Sequence, residues 1–147
     1  MSRMAQWVKA SDKIILEGAI RGGYEQGGEI LFIARAHMAD GYMTPGKIGR
    51  HLPGAHIPYD GKEVIVTDYE VLVHPTSEDG YYEWIGSSNG NVPDGAVAAD
   101  ENMYVGRFRF EDGLHPGKVF TDHKMCYVSF AGKELQNDSY EVLCRVK

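Results

Sequence analysis

The chain repeats itself, and that repetition limits the folds open to it more than any other feature. Trp7-Val8 returns as Trp84-Ile85, 77 residues later, and Gly18-Ala19-Ile20 returns at the same offset as Gly95-Ala96-Val97. Three further blocks return at an offset of 71: Pro45-Gly46-Lys47 as Pro116-Gly117-Lys118, Gly61-Lys62-Glu63 as Gly132-Lys133-Glu134, and Tyr69-Glu70-Val71-Leu72 as Tyr140-Glu141-Val142-Leu143. Five matched blocks in one order define a tandem duplication. The change of offset falls between the Gly-Ala-Ile/Val block and the Pro-Gly-Lys block, where Gly27-Gly28 of the first copy is dispensable. The copies span 6–74 and 83–146, and residues 75–82 form the linker, with His74-Pro75-Thr76-Ser77-Glu78-Asp79-Gly80 supplying its composition.

Within each copy the pattern is strand upon strand. Ile30–Ala36 and Met103–Phe110 are β-branched and aromatic runs bounded by glycine and acidic turns. In the first, Leu31, Ile33 and Arg35 share one face and Phe32, Ala34 and Ala36 the other, so both faces are largely apolar and the strand is central. Arg35 and Arg107 are thereby carried inward, and a buried guanidinium needs a carboxylate. Glu63/Glu134 or Glu70/Glu141 are the repeated acids available. Pro-Gly suits the two central positions of a type II turn, so Lys47 and Lys118 are expected to follow a rigid corner and start a strand. Gly61 and Gly132 are further turn positions, and no helix longer than a turn is predicted. With 18 glycines and 6 prolines, the expectation is an all-β chain. It comprises two tandem pseudo-symmetric repeats of short antiparallel strands in one compact unit.

Several functions are disfavoured. A net charge of −6 with no basic stripe argues against nucleic acid, and no apolar run reaches the roughly 20 residues of a membrane helix. No membrane insertion is expected. The N-terminal segment lacks the apolar core of a signal peptide, giving a cytoplasmic or non-classically secreted protein as the expectation. Cys126 and Cys144 lie in apolar strands and read as buried free thiols more readily than as a disulfide. The six histidines show no paired metal spacing. Nucleophile elbow, phosphate loop and dinucleotide fingerprint are all missing, so neither an enzyme nor a cofactor is expected. What remains is a polar recognition surface. Acids accepting from vicinal hydroxyls, lysine donors and aromatic faces on a rigid β scaffold suit neutral sugars.

Together the Trp-Val, Gly-Ala-Ile/Val, Pro-Gly-Lys, Gly-Lys-Glu and Tyr-Glu-Val-Leu blocks and the strands ending in Arg35 and Arg107 resemble the DM-nine repeat of the natterin-like proteins. A tandem pair of this length is most similar to the small mannose-binding lectins of bivalve molluscs. The resemblance implies calcium-independent binding of mannose or mannose-containing glycans, homodimerisation, and recognition of microbial glycans in innate immunity. It also implies that sugar is held by the Pro-Gly-Lys lysine, hence Lys47 and Lys118, and by an aspartate after the Gly-Ala-Ile/Val strand. Sixteen residues beyond each tryptophan stand Asp100 in the second copy and Gly23 in the first, the latter followed by Tyr24 and Glu25. Asp100 with Lys118 is therefore the better expected site, and Lys47 with Glu25 and Tyr24 the weaker. Gly23 leaves an alternative, a protein-interaction module on the same scaffold without sugar binding.

Overall fold

A computed structural model describes residues 5–11, 16–74 and 81–146. The first repeat forms β1 (Gln6–Ser11), β2 (Arg21–Tyr24), β3 (Ile30–His37), β4 (Met43–Ile48), β5 (Ala55–Tyr59), β6 (Lys62–Val66) and β7 (Asp68–Val73). The second runs through the same order as β8 (Tyr82–Ser88), β9 (Ala98–Asp100), β10 (Met103–Phe110), β11 (Gly113–Phe120), β12 (Met125–Phe130), β13 (Lys133–Asn137) and β14 (Ser139–Arg145). Among the described residues the only helix is a single 3₁₀ turn, Thr121–His123. Tyr82, assigned to the linker by composition, opens β8; residues 75–80 lie outside the described residues.

All pairings are antiparallel, and the fourteen strands form one sheet. Most of that sheet closes on itself. β2 pairs both with β3 and with β11 of the other repeat, so β3, β4, β5, β6, β13, β12, β11 and β2 make an eight-stranded barrel. Neither repeat could close this ring alone. At the β6–β13 join, Lys62 stands opposite Lys133, and Glu63 N and Glu134 N donate to the Gly132 and Gly61 carbonyls at 3.0 and 3.1 Å. Both hairpins there turn through Asp60-Gly61 and Ala131-Gly132 with φ positive at both central positions, the twist that matches paired strands.

The two faces of β3 and β10 serve different cores. Phe32, Ala34 and Ala36 pack with Ile48, Ile57 and Val71 inside the first repeat. Ile33 points the other way and meets Leu72, Val105 and Leu143, with Trp7 and Trp84 partly buried against them, so this core belongs to both repeats. Fully burying such aliphatic side chains contributes about 1.5–3 kcal/mol each, which ties the repeats into one unit.

The arginines end where burial demands. Arg35 Nε donates to Glu70 Oε1 at 2.7 Å and Arg107 Nε to Glu141 Oε1 at 2.8 Å, so Tyr-Glu-Val-Leu supplies their acids. Each guanidinium also stacks on its repeat's tryptophan, 4.6 Å from Trp7 and 4.0 Å from Trp84. The remaining donors cross over: Arg35 Nη1 bonds the Ala99 carbonyl and Arg107 Nη1 the Gly22 carbonyl. Cys126 and Cys144 are free and buried, and burial pushes both thiols up.

One expectation fails. Pro45-Gly46 and Pro116-Gly117 are not type II turns; they lie inside β4 and β11, and neither glycine has a positive φ. The glycines are needed for close approach instead. A Cβ on Gly46 would overlap the His56 carbonyl oxygen, and one on Gly117 the Tyr127 carbonyl oxygen.

Candidate functional site

That close approach carries the lysines inward. Where β4 and β11 press against β5 and β12, the residue after each glycine has its side chain sunk into the barrel, and Lys47 and Lys118 are only 2% and 6% exposed. Two buried ammonium groups require partners. Each finds the glutamate of its own Gly-Lys-Glu block: Lys118 Nζ is 3.3 Å from Glu134 Oε2 and Lys47 Nζ 3.8 Å from Glu63 Oε2. Each also donates to a carbonyl of the other repeat, Lys118 to Pro58 at 2.8 Å and Lys47 to Ser129 at 2.7 Å. The second oxygen of each glutamate caps the opposite hairpin, Glu134 accepting from Gly61 N and Glu63 from Gly132 N. The two arrangements are pseudo-equivalent in their charges and differ in what lies above them.

Above Lys118 is an open cleft of about 400 Å³, within the range of small-ligand sites. Tyr59, Asp60 and Gly61 from the first repeat form one side, and Met103, Phe120, His123 and Tyr127 the other, with Asp40 and Glu134 completing it. The aromatic wall is continuous. Tyr42 packs edge-on to Phe120, Phe120 lies 4.4 Å from the His123 ring, and His123 Nδ1 is 3.0 Å from the Tyr127 hydroxyl. The Lys118 ammonium sits near the Tyr59 and Tyr127 rings at 5.9 and 5.3 Å. With Pro58 and Glu134 engaging two of its three donors, one N–H is left for a ligand. Burial, and secondarily the Glu134 carboxylate, raise the Tyr127 phenol, keeping it a neutral donor and acceptor. Sequence alone does not single out this wall. Phe130, Gly49, Leu52 and His56 hold the pseudo-equivalent positions of Tyr59, Phe120, His123 and Tyr127, so duplication carries no signal there.

Lys47 has a further neighbour. His115, which replaces Thr44 of the first repeat, places Nδ1 3.0 Å from Lys47 Nζ and packs edge-on to Phe130. Glu25 stands nearby, its Oε2 2.8 Å from His51 Nε2. Burial would raise the Glu25 carboxyl, but the His51 hydrogen bond and the Lys47 charge outweigh it and leave its pKa below the ordinary value. Burial lowers the Lys47 pKa, and Glu63 and Glu25 oppose that shift. Glu25 is near enough for its charge to be felt at Lys47, but its ion-pair partner is His51, and the Lys47 partner is Glu63. Tyr24 is turned elsewhere, its hydroxyl accepting from Arg109 Nη1 at 2.7 Å.

Asp100 is held against the first repeat. Its carboxylate accepts from Met43 N at 2.6 Å and Glu101 N at 2.7 Å, and these two bonds lower its pKa. Met43 is the counterpart of Leu114, which pairs with Tyr24 where β2 meets β11. Gly23 lies so close to Leu114 there that a Cβ would overlap its carbonyl oxygen. The first repeat therefore meets its neighbour backbone to backbone, and the second reaches across with the Asp100 side chain. The acid delivered to the Lys118 ammonium is Glu134.

The Lys47–His115 contact predicts an acid sensitivity. Burial, and after it the Lys47 charge, push the His115 pKa from 6.5 down to about 4. The imidazole is neutral near pH 7 and Nδ1 accepts from the ammonium. Between those two values the unfolded chain binds the proton and the folded chain does not, so stability falls as pH drops through the window. At 1.36 kcal/mol per unit that amounts to roughly 2–3 kcal/mol. Glu25, with its lowered pKa, acts in the same direction at its lower end. Urea unfolding from pH 7 to pH 4 should show a shallower decline for His115→Thr, which installs the residue of the other repeat. Parallel declines would remove His115 as the cause.

The closed barrel, the two-repeat strand order and the paired lysine–glutamate motifs define an all-β tandem-repeat protein. The chain belongs to the DM9 repeat family, whose repeat profile matches residues 2–66, 38–100 and 98–147. It is similar to Natterin-3 of Thalassophryne nattereri, 35% identical over 88 residues that make up 60% of this chain and 23% of that protein. Natterin-4 of the same organism is 30% identical over 112 residues, 76% of this chain and 27% of that protein. The chain thus spans about a quarter of the length of these curated relatives. Among solved structures, the nematode sperm cell motility protein MFP2B shares the fold, with a TM-score of 0.73 at 14% identity over 98% of this chain and 45% of that one.

Proposed function

We propose that this is a non-enzymatic, calcium-independent carbohydrate-binding protein, with the Lys118 cleft as its working site and mannose-type hexoses as its ligands. The observation that carries the reading is the Lys118–Glu134 pair at the base of an aromatic-walled cleft. Carboxylates accept from vicinal hydroxyls, the ammonium donates to a ring or hydroxyl oxygen, and tyrosine faces cover the sugar's C–H surface. A monosaccharide offers few atoms, so each site is weak, and homodimerisation would supply avidity toward microbial glycans. The His115 ring against Lys47 favours one working site per chain. Gly23, standing in the first repeat where the resemblance implies an aspartate, favours a second reading, a scaffold that binds protein instead.

Calorimetric titration in EDTA with mannose, glucose and galactose tests this. Mannose should bind at one site per chain, and Lys118→Met should weaken binding at least tenfold while the protein remains folded by thermal melting. Unchanged affinity in Lys118→Met would overturn the site. Heat from none of the sugars would favour the protein-binding reading.

A further inference from the structure

The Lys118 cleft carries more negative charge than a neutral sugar needs. Asp40, Asp60 and Glu134 line it against one ammonium, and that ammonium is committed to Glu134 and the Pro58 carbonyl. Asp40 and Asp60 remain. Asp40 Oδ1 accepts from Tyr42 N at 3.0 Å, and neither aspartate is paired with a cation among the described residues. His123 turns its Nδ1 to the Tyr127 hydroxyl and makes no ion pair with either aspartate among the described residues. Two unneutralised carboxylates therefore face the same opening as the rings of Tyr59, Phe120 and Tyr127. Carboxylates and aromatic faces are what a desolvated ammonium seeks.

We propose that this cleft selects sugars bearing a free ammonium, 2-amino-2-deoxyhexoses, over their neutral counterparts. The proposal rests on the reading of the cleft as a sugar site. The hydroxyls of such a ligand use Glu134, Lys118 and Tyr127, and its ammonium lies between Asp40 and Asp60. N-acetylation removes the charge and adds an acyl group that these acids cannot bond as a cation, so the acetylated sugar loses the advantage. Screening by salt weakens the preference, because the aspartates are exposed.

The test is calorimetric titration with mannosamine, N-acetylmannosamine and mannose at a pH where the amine is protonated. Mannosamine should bind about tenfold tighter than either neutral sugar, the sum of two partly exposed charge contacts. Asp40→Asn and Asp60→Asn should each pull that ratio toward one, as should high salt. Both substitutions spare the fold: asparagine keeps the acceptor for Tyr42 N, and it tolerates the φ of 54° at position 60. Asp68→Asn, on β7 outside the cleft, should leave the ratio unchanged. Equal affinity for all three sugars would overturn the charge selection and leave the sugar site standing. A failure of all three to bind would overturn both.

Discussion

Gly23→Asp is expected to destabilise the protein by about 3–5 kcal/mol and to create no second sugar site. By motif spacing this substitution restores to the first repeat the acid that the second repeat has at Asp100. The structure gives the opposite outcome. Gly23 faces Leu31 as Asp100 faces Met103, but at Gly23 the β2 backbone lies against Leu114, and a Cβ would overlap that carbonyl oxygen. Relief requires β2 to withdraw from β11, and β2 is the strand that closes the barrel. An isolated aspartate at that seam would also add a charge where a strand pairing is lost. Urea denaturation of the variant beside wild type measures the effect. A variant of wild-type stability that binds two sugars per chain would refute this account of the seam.

Glu63→Ala is the second large effect, expected at about 3–5 kcal/mol, the usual consequence of leaving a buried charge without its partner. Lys47 Nζ would keep the Ser129 carbonyl and His115 Nδ1, both neutral, and lose its 3.8 Å carboxylate. Gly132 N would lose its acceptor at the same time. Glu63→Gln separates the two contributions, since the amide oxygen still accepts from Gly132 N while the charge is gone. Equilibrium unfolding should therefore order the three proteins as wild type, then Gln, then Ala. A loss below about 1 kcal/mol for Glu63→Ala would place the Lys47 charge in solvent, contrary to its burial.

The duplication and the strand content were legible because they depend on pattern alone. β10 has the predicted limits, and β3 extends the predicted run only to His37. The arginine partners were legible to within two choices, since burial demanded an acid and only repeated acids qualified. Pro-Gly was misleading for a physical reason. As local punctuation it specifies a turn, but here the glycine serves a neighbouring strand that no local window contains. The lysine environment was hidden for the same reason: Pro58, Ser129 and His115 come from the other repeat. The aromatic wall was hidden because it breaks the repetition, and repetition was the available signal. Asp100 was located by counting to the aspartate that the family resemblance implies, and no count could show that its carboxylate accepts from Met43 N in the other repeat.

The Lys118 cleft is built from both repeats, with Tyr59, Asp60 and Gly61 on one side and Lys118, Tyr127 and Glu134 on the other. Occupancy is then coupled to the integrity of the entire ring. A ligand cannot remain bound while either half opens, so its full binding free energy is added to global unfolding and none of it to a single repeat, growing as RT ln(1 + [L]/Kd). Transplanting one repeat elsewhere would carry half a cleft, and the smallest heritable unit of this site is the pair.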